Sequence, residues 1–144
     1  MSKKKDNGVP GLCRTRWSRS INPADTWKEY PRPAMVRASY INLNGMWDYC
    51  FTPSPNIPAR FEGQLPVPFS PEAPLSGVGR RLSPDEFLWY RRSFTLRKQQ
   101  KEQRVLLHFG AADQTAEVFV NRISAVRHCG GYLPFSADIT DYLQ

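Results

Sequence analysis

The sequence predicts an all-β fold, a sandwich or barrel of short strands. Apolar residues alternate with a period of two in several short runs, prolines and glycines stand between those runs, and no stretch sustains the 3.6-residue apolar period of a long amphipathic helix. The thirteen prolines and nine glycines serve as turn punctuation, because proline withholds a backbone donor and glycine admits conformations closed to other residues. At 144 residues, 40% hydrophobic and 12% aromatic, the chain can fill one core of ordinary domain size. It is too short for a (β/α)₈ barrel, which needs about 250 residues.

Residues 1 to 20 hold six basic groups against one acid, so +5 of the net charge of +7 is concentrated there. Residues 1 to 24 are therefore predicted to form a basic, flexible leader, and residues 25 to 144 the folded domain. The stretch INPADTWKEYPRPAMVR (21 to 37) is interrupted by three prolines and reads as an extended lead-in pinned by Trp27 and Tyr30. The first strand is MWDYCF (46 to 51), announced by Asn44-Gly45. Its alternation puts Met46, Asp48 and Cys50 on one face and Trp47, Tyr49 and Phe51 on the other, which is predicted to point inward.

A proline-rich connection then runs from Thr52 to Phe87, long enough to be expected as a functional loop or binding rim. Within it LPVPF (65 to 69) suits an edge strand, where proline is tolerated. Three further strands are predicted at LWYRRSFTL (88 to 96), RVLLHFG (104 to 110) and AEVFVN (116 to 121), with the charged RKQQKEQ as a turn between the first two. In the closing RHCGGYLPFSADITDYL, Gly130 and Gly131 allow positive φ or a close backbone approach. Tyr132 and Phe135 are expected to cover one end of the sandwich, and Asp138 or Thr140 to cap a single helical turn.

The three cysteines, Cys13, Cys50 and Cys129, are odd in number and widely spaced, so they encode neither a disulfide framework nor a zinc site. No cofactor or metal is expected. The start lacks the apolar core of a signal peptide and no run has the length of a membrane span, so a cytoplasmic location and no membrane partner are expected. Arg91 and Arg92 fall on opposite strand faces and cannot form one patch, and Asp85 or Glu86 is the expected ion-pair partner. His108, on a strand face with Leu106, reads as a structural histidine. The aromatics alternate as core residues and do not form a solvent-facing stacking row, so no nucleic-acid partner is expected despite the basic leader.

The ordered segments YPRPAMVRASYINLNGMWDY, VPFSPEAPLSGVG, LWYRRSFTL, RVLLHFGAAD, VFVN and HCGGYLPFSADIT resemble the N-terminal sugar-binding domain of glycoside hydrolase family 2, which includes β-galactosidases, β-glucuronidases and β-mannosidases. The resemblance covers roughly residues 25 to 143. It implies a jelly-roll β-sandwich of the galactose-binding-domain type, set in the parent enzyme before an immunoglobulin-like domain and a catalytic TIM barrel. The family's catalytic glutamates belong to the barrel, so no catalytic residue is assigned here. By the same resemblance this domain braces the barrel and lends loops to the active-site rim.

The rim candidates are Glu72, Ser76, Asn121 and His128. Glu72 has the alternative of an ordinary loop carboxylate paired with Arg80 or Arg81, and Ser76 that of a turn-shaping residue. Trp47, Trp89, Tyr90, Gly130, Gly131, Tyr132 and Phe135 are expected to be structural. The chain has Asn121-Arg122 where the family has Asn-Gly, which predicts a longer loop or a different turn. The family's domain continues past the DIT segment, so the sandwich is expected to lack its last strand. The expected partners are a β-linked carbohydrate, through the parent enzyme, the immunoglobulin-like and barrel domains, and a second copy of the chain. The competing reading is a lectin-like or assembly sandwich acting alone, without hydrolase activity.

Overall fold

The computed structural model describes residues 16, 20–22, 25–29 and 32–144. The leader expected over residues 1 to 24 lies outside them apart from residues 16 and 20–22, and so do Cys13 and Tyr30. The lead-in is held by one backbone and one side-chain contact: Asn42 Nδ2 donates to the Trp27 carbonyl at 2.6 Å and Lys28 Nζ to the Asn44 carbonyl at 2.6 Å. The Trp27 ring, expected to pin this segment, is instead 68% exposed.

The fold is all-β. Its strands are β1 (Gly45–Thr52), β2 (Gly63–Val67), β3 (Phe87–Arg91), β4 (Leu106–Phe109), β5 (Thr115–Val120), β6 (Ile123–Cys129) and β7 (Phe135–Asp138). Among the described residues they form three antiparallel sheets: β2-β1-β3, β4-β7 and β5-β6. Helix among the described residues is confined to the turn Lys98–Lys101, inside the charged RKQQKEQ segment, and to short 3-10 turns.

Strand β1 is flanked on both sides, and the edge strand expected in LPVPF is β2, where Pro66 stands opposite Met46. The inward aromatic face holds only in part. Phe51 is buried, but so is Cys50 on the opposite face. The segment entering β2 covers this end of β1: the Phe51 N–H donates to Glu62 Oε1 at 3.0 Å and the Glu62 N–H to the Tyr49 carbonyl at 2.9 Å. Trp47 donates its indole N–H to the Leu43 carbonyl at 2.7 Å, and Trp89 donates to Thr52 Oγ1 at 3.1 Å, so both rings have a polar anchor.

Strand β3 is shorter than the run of alternating residues, which reaches residue 96. Beyond Arg91 the ladder to β1 stops, and the Arg92 side chain reaches the carbonyls of Asn44 (3.4 Å) and Met46 (3.1 Å) instead. Strands β6 and β7 were not among the expected elements. β6 follows β5 through Asn121-Arg122, the two-residue loop left by the pairing of Val120 with Ile123. Both loop residues have positive φ, 49° and 71°, as a type I′ turn requires. The tight hairpin is therefore kept without glycine, contrary to the longer or different turn expected. The asparagine meets the need locally, and its side chain is fixed by donation to the Tyr142 carbonyl at 2.6 Å.

The double glycine has the expected conformational role. Gly130 has φ 124°, and a Cβ at Gly131 would lie 2.3 Å from Asp113 Oδ1. The turn does not tuck both following rings inward, however. Phe135 pairs with Phe109 across β4-β7, while Tyr132, expected to cover one end of the sandwich, is 96% exposed at the tip of the β6-β7 loop. Its position on the tip, two residues short of the proline that precedes β7, leaves it no neighbouring sheet to cover.

The residues sealed most fully are Leu65, Ile139, Cys50, Ala137 and Phe51. Ring contacts link the sheets, Trp89 with Phe119 (5.6 Å) and Phe135 stacked on His128 (4.3 Å), while Phe135 also stacks on Phe109 within its own sheet (4.7 Å). After β7, Asp138 accepts from the Thr140 N–H (3.1 Å) and hydroxyl (2.6 Å), starting the 3-10 turn Thr140–Tyr142, and pairs with Arg104.

Two predictions follow from these turns. Arg122→Gly is expected to stabilise the domain by about 0.5 kcal/mol, because glycine accepts the positive φ without the Cβ clash; a chemical denaturation midpoint that falls would contradict this. The Thr140 hydroxyl, with Arg104 next in weight, holds the Asp138 carboxyl down at about 2, below its ordinary 3.8. A lowered folded-state value favours the carboxylate, so this contribution is full above the ordinary value and is lost as pH falls through about 2. Asp138→Asn is expected to flatten the pH dependence of the melting temperature between pH 4 and 2, and an unchanged slope would contradict the assignment.

Candidate functional site

The loop 68–86, between β2 and β3, is wound on its own polar groups. Ser76, buried at 6% exposure, lies with its hydroxyl 3.0 Å from the Pro71 carbonyl and 2.7 Å from that of Ala73, and accepts the Val78 N–H at 3.1 Å. The Gly79 N–H closes the loop onto the Pro71 carbonyl at 2.8 Å. Ser76 thus shapes the turn, and its hydroxyl is taken up inside the loop.

Glu72 stands exposed on this loop. Its carboxyl is held below the usual range first by its own backbone N–H, then by the Ser70 hydroxyl, the Leu82 backbone and the charge of Arg81. Tyr90 lies near enough to feel Glu72: desolvation, and after it the Glu72 charge, push its phenol up to about 12. Of the two alternative partners for Glu72, Arg80 or Arg81, the Arg81 charge acts on it while Arg80 is engaged elsewhere. Arg80 pairs with Glu86 and approaches Glu62 at 3.8 Å, with its guanidinium 3.9 Å above the Phe51 ring. It fastens the far end of the loop to β1 through charge and ring face together.

The other two rim candidates are far from each other. Asn121 occupies the β5-β6 turn, while His128 lies at the opposite end of β6, about 20 Å away at the rise of a strand. His128 stacks on Phe135 and has its Nε2 3.1 Å from the Gly130 carbonyl. His108, the other histidine, is exposed and has Nδ1 2.6 Å from Ser136 Oγ. The four candidates therefore do not converge on one site: Glu72 and Ser76 share a loop, and Asn121 and His128 hold the two ends of a hairpin.

A polar constellation that sequence reasoning missed lies across the three-stranded sheet. Gln64, Asp48 and Arg91 occupy register positions on β2, β1 and β3, so their side chains meet in a row. Gln64 Nε2 donates to Asp48 Oδ1 at 3.0 Å, and Arg91 donates to Oδ2 through Nε (3.0 Å) and Nη2 (2.7 Å). These bonds, Gln64 first, keep the Asp48 carboxyl below its ordinary value. The Arg91 guanidinium also lies 4.1 Å over the Phe61 ring. The partner of Arg91 is therefore Asp48, and not Asp85 or Glu86: register brings Asp48 directly opposite, while Glu86 is engaged by Arg80. Knowledge of register would have revealed this row, and register is not written in the alternation of any single strand. With this row Met46, Arg92 and Ser93 line an open concavity of about 290 Å³, so Arg91 and Arg92, expected on opposite strand faces and unable to form one patch, share one surface: the ladder to β1 stops at Arg91, and strand alternation no longer sets the direction of Arg92.

No family model matches the chain. Among curated proteins it is 33% identical over 135 residues to the β-glucuronidase of Felis catus, covering 80% of this chain and 20% of that one. It is 39% identical over 56 residues to a β-galactosidase of Thermoanaerobacter pseudethanolicus, covering 39% of this chain and 8% of that one. Among solved structures, the Faecalibacterium prausnitzii β-glucuronidase matches with a TM-score of 0.55 at 29% identity, over 72% of this chain and 18% of that one. The chain thus spans about a fifth of the length of the β-glucuronidases it matches. An all-β domain with this shared fold and sequence is homologous to the N-terminal domain of family 2 glycoside hydrolases.

Proposed function

We propose that the chain serves as the non-catalytic N-terminal sandwich of an enzyme that hydrolyses β-O-glycosidic bonds, bracing a catalytic barrel and lending its long loop to the rim of the active site. The observation that carries this reading is the match over 80% of the chain to a fifth of a β-glucuronidase. The carboxylates support it. Retaining hydrolysis needs two carboxyl groups about 5–5.5 Å apart, one able to give up a proton near neutral pH. Asp48 and Asp138 are instead bound to arginines, Glu86 is paired with Arg80, and Asp48, Glu72 and Asp138 are all shifted toward the charged form.

The bracing role draws on apolar surface. Tyr132 at 96% and Leu133 at 66% exposure form the tip of the β6-β7 loop, a protrusion suited to burial against another domain. Carbohydrate is the partner of the whole enzyme in this reading, reached through the rim loop carrying Glu72. Among the described residues no helix is long and apolar enough to cross a membrane. A cytoplasmic setting is supported by Cys50 and Cys129, both free thiols.

The 144-residue chain is expected to release no chromophore from aryl β-glucuronides or aryl β-galactosides above the buffer rate. Turnover that follows the purified chain and saturates with substrate would overturn the non-catalytic assignment.

A further inference from the structure

The concavity on the Met46 and Asp48 face of the β2-β1-β3 sheet has an uneven charge balance. Its lining holds one carboxylate, Asp48, and two guanidinium groups, Arg91 and Arg92. Arg91 is matched to Asp48 by two hydrogen bonds, and Gln64 occupies the other carboxylate oxygen. Arg92 has no carboxylate partner among the described residues. Its Nη1 lies against the Asn44 and Met46 carbonyls, which hold the half-buried side chain in place while neutralising none of its charge.

A guanidinium presents five donors in a rigid fork, and the two carbonyl contacts of Arg92 both use Nη1. Ser93 adds a hydroxyl next to it and Met46, 41% exposed, an apolar wall. At about 290 Å³ the space lies just below the range of drug-sized ligand pockets, which starts at about 300 Å³, so it suits a small ligand.

We infer that this concavity is a binding site for a small carboxylate, held by the Arg92 guanidinium and the Ser93 hydroxyl against Met46. Asp48 does not repel the ligand strongly, because its charge is already matched by Arg91. The inference lies outside the proposed enzyme reading and does not depend on it: the ligand is recognised by the Arg92 guanidinium, and the Lys28 ammonium on the same Asn44 carbonyl adds positive charge nearby.

The test is an amide NMR titration of the 144-residue chain with a hexuronate, with the corresponding neutral hexose and sodium sulfate at equal ionic strength as controls. Saturable shifts are expected at Met46, Gln64, Arg92 and Ser93 with the uronate and not with the hexose, and sulfate is expected to compete only weakly because it lacks the planar two-oxygen match to the fork. Arg92→Gln should weaken binding about tenfold, the scale of a charge-assisted contact, and Arg92→Lys less. Should Arg92→Gln fail to fold, Ser93→Ala carries the test with a loss of about threefold. Absence of saturation, equal shifts with the hexose, sulfate binding as tight as the uronate, or affinity unchanged in the folded variants would each overturn the inference.

Discussion

Contact between aromatic rings is the interaction on which this fold depends. Two of the three sheets, β4-β7 and β5-β6, have only two strands, and a two-stranded sheet is marginal in water without a packed face. Phe135 supplies that face twice, stacking on Phe109 within its own sheet and on His128 of β6. Trp89 on Phe119 joins the hairpin to the three-stranded sheet. Such pairs contribute about 0.5–1.5 kcal/mol each beyond the burial of their area. That matters here because few residues are fully sealed, Leu65 and Ile139 foremost.

With the sheets joined in this way, the charged groups serve to place loops. Arg80 ties the long loop to β1 through Glu86, Glu62 and the Phe51 ring, and Arg104 with Thr140 fixes Asp138 where β7 ends. These pairs are largely exposed and contribute little stability individually. Their effect is geometric: Glu72 is carried on a loop whose interior is closed by Ser76, and Arg92 is carried on a strand end whose ladder has stopped. The two features differ in kind, one a carboxylate poised at a rim, the other a cation without an acidic partner.

Much of this was legible in the chain. Alternation at MWDYCF and AEVFVN gave β1 and β5, and the prolines of LPVPF marked an edge strand that the structure has as β2. What alternation alone does not carry is pairing. Strand β6 was hidden because Asn121-Arg122 lacks the glycine that signals a tight hairpin, yet both residues take positive φ. Strand β7 was hidden because Phe135 looked like a cap for the sandwich end, when it is a paired strand residue. The Gln64, Asp48 and Arg91 row needed the register of three strands separated by long loops. Tyr132 was misjudged because aromaticity says nothing of whether a ring faces its own core or an outside partner.

The central claim is that the ring contacts make the two-stranded sheets β4-β7 and β5-β6 unfold as one. Native-state amide hydrogen exchange of a Phe135→Leu variant tests it most directly, since leucine keeps apolar bulk but removes both stacks. The account predicts that protection falls together in β4-β7 and β5-β6, by about 1–3 kcal/mol. Loss confined to β4-β7, with the β5-β6 hairpin protected as before, would show that the sheets stand independently and would contradict the account.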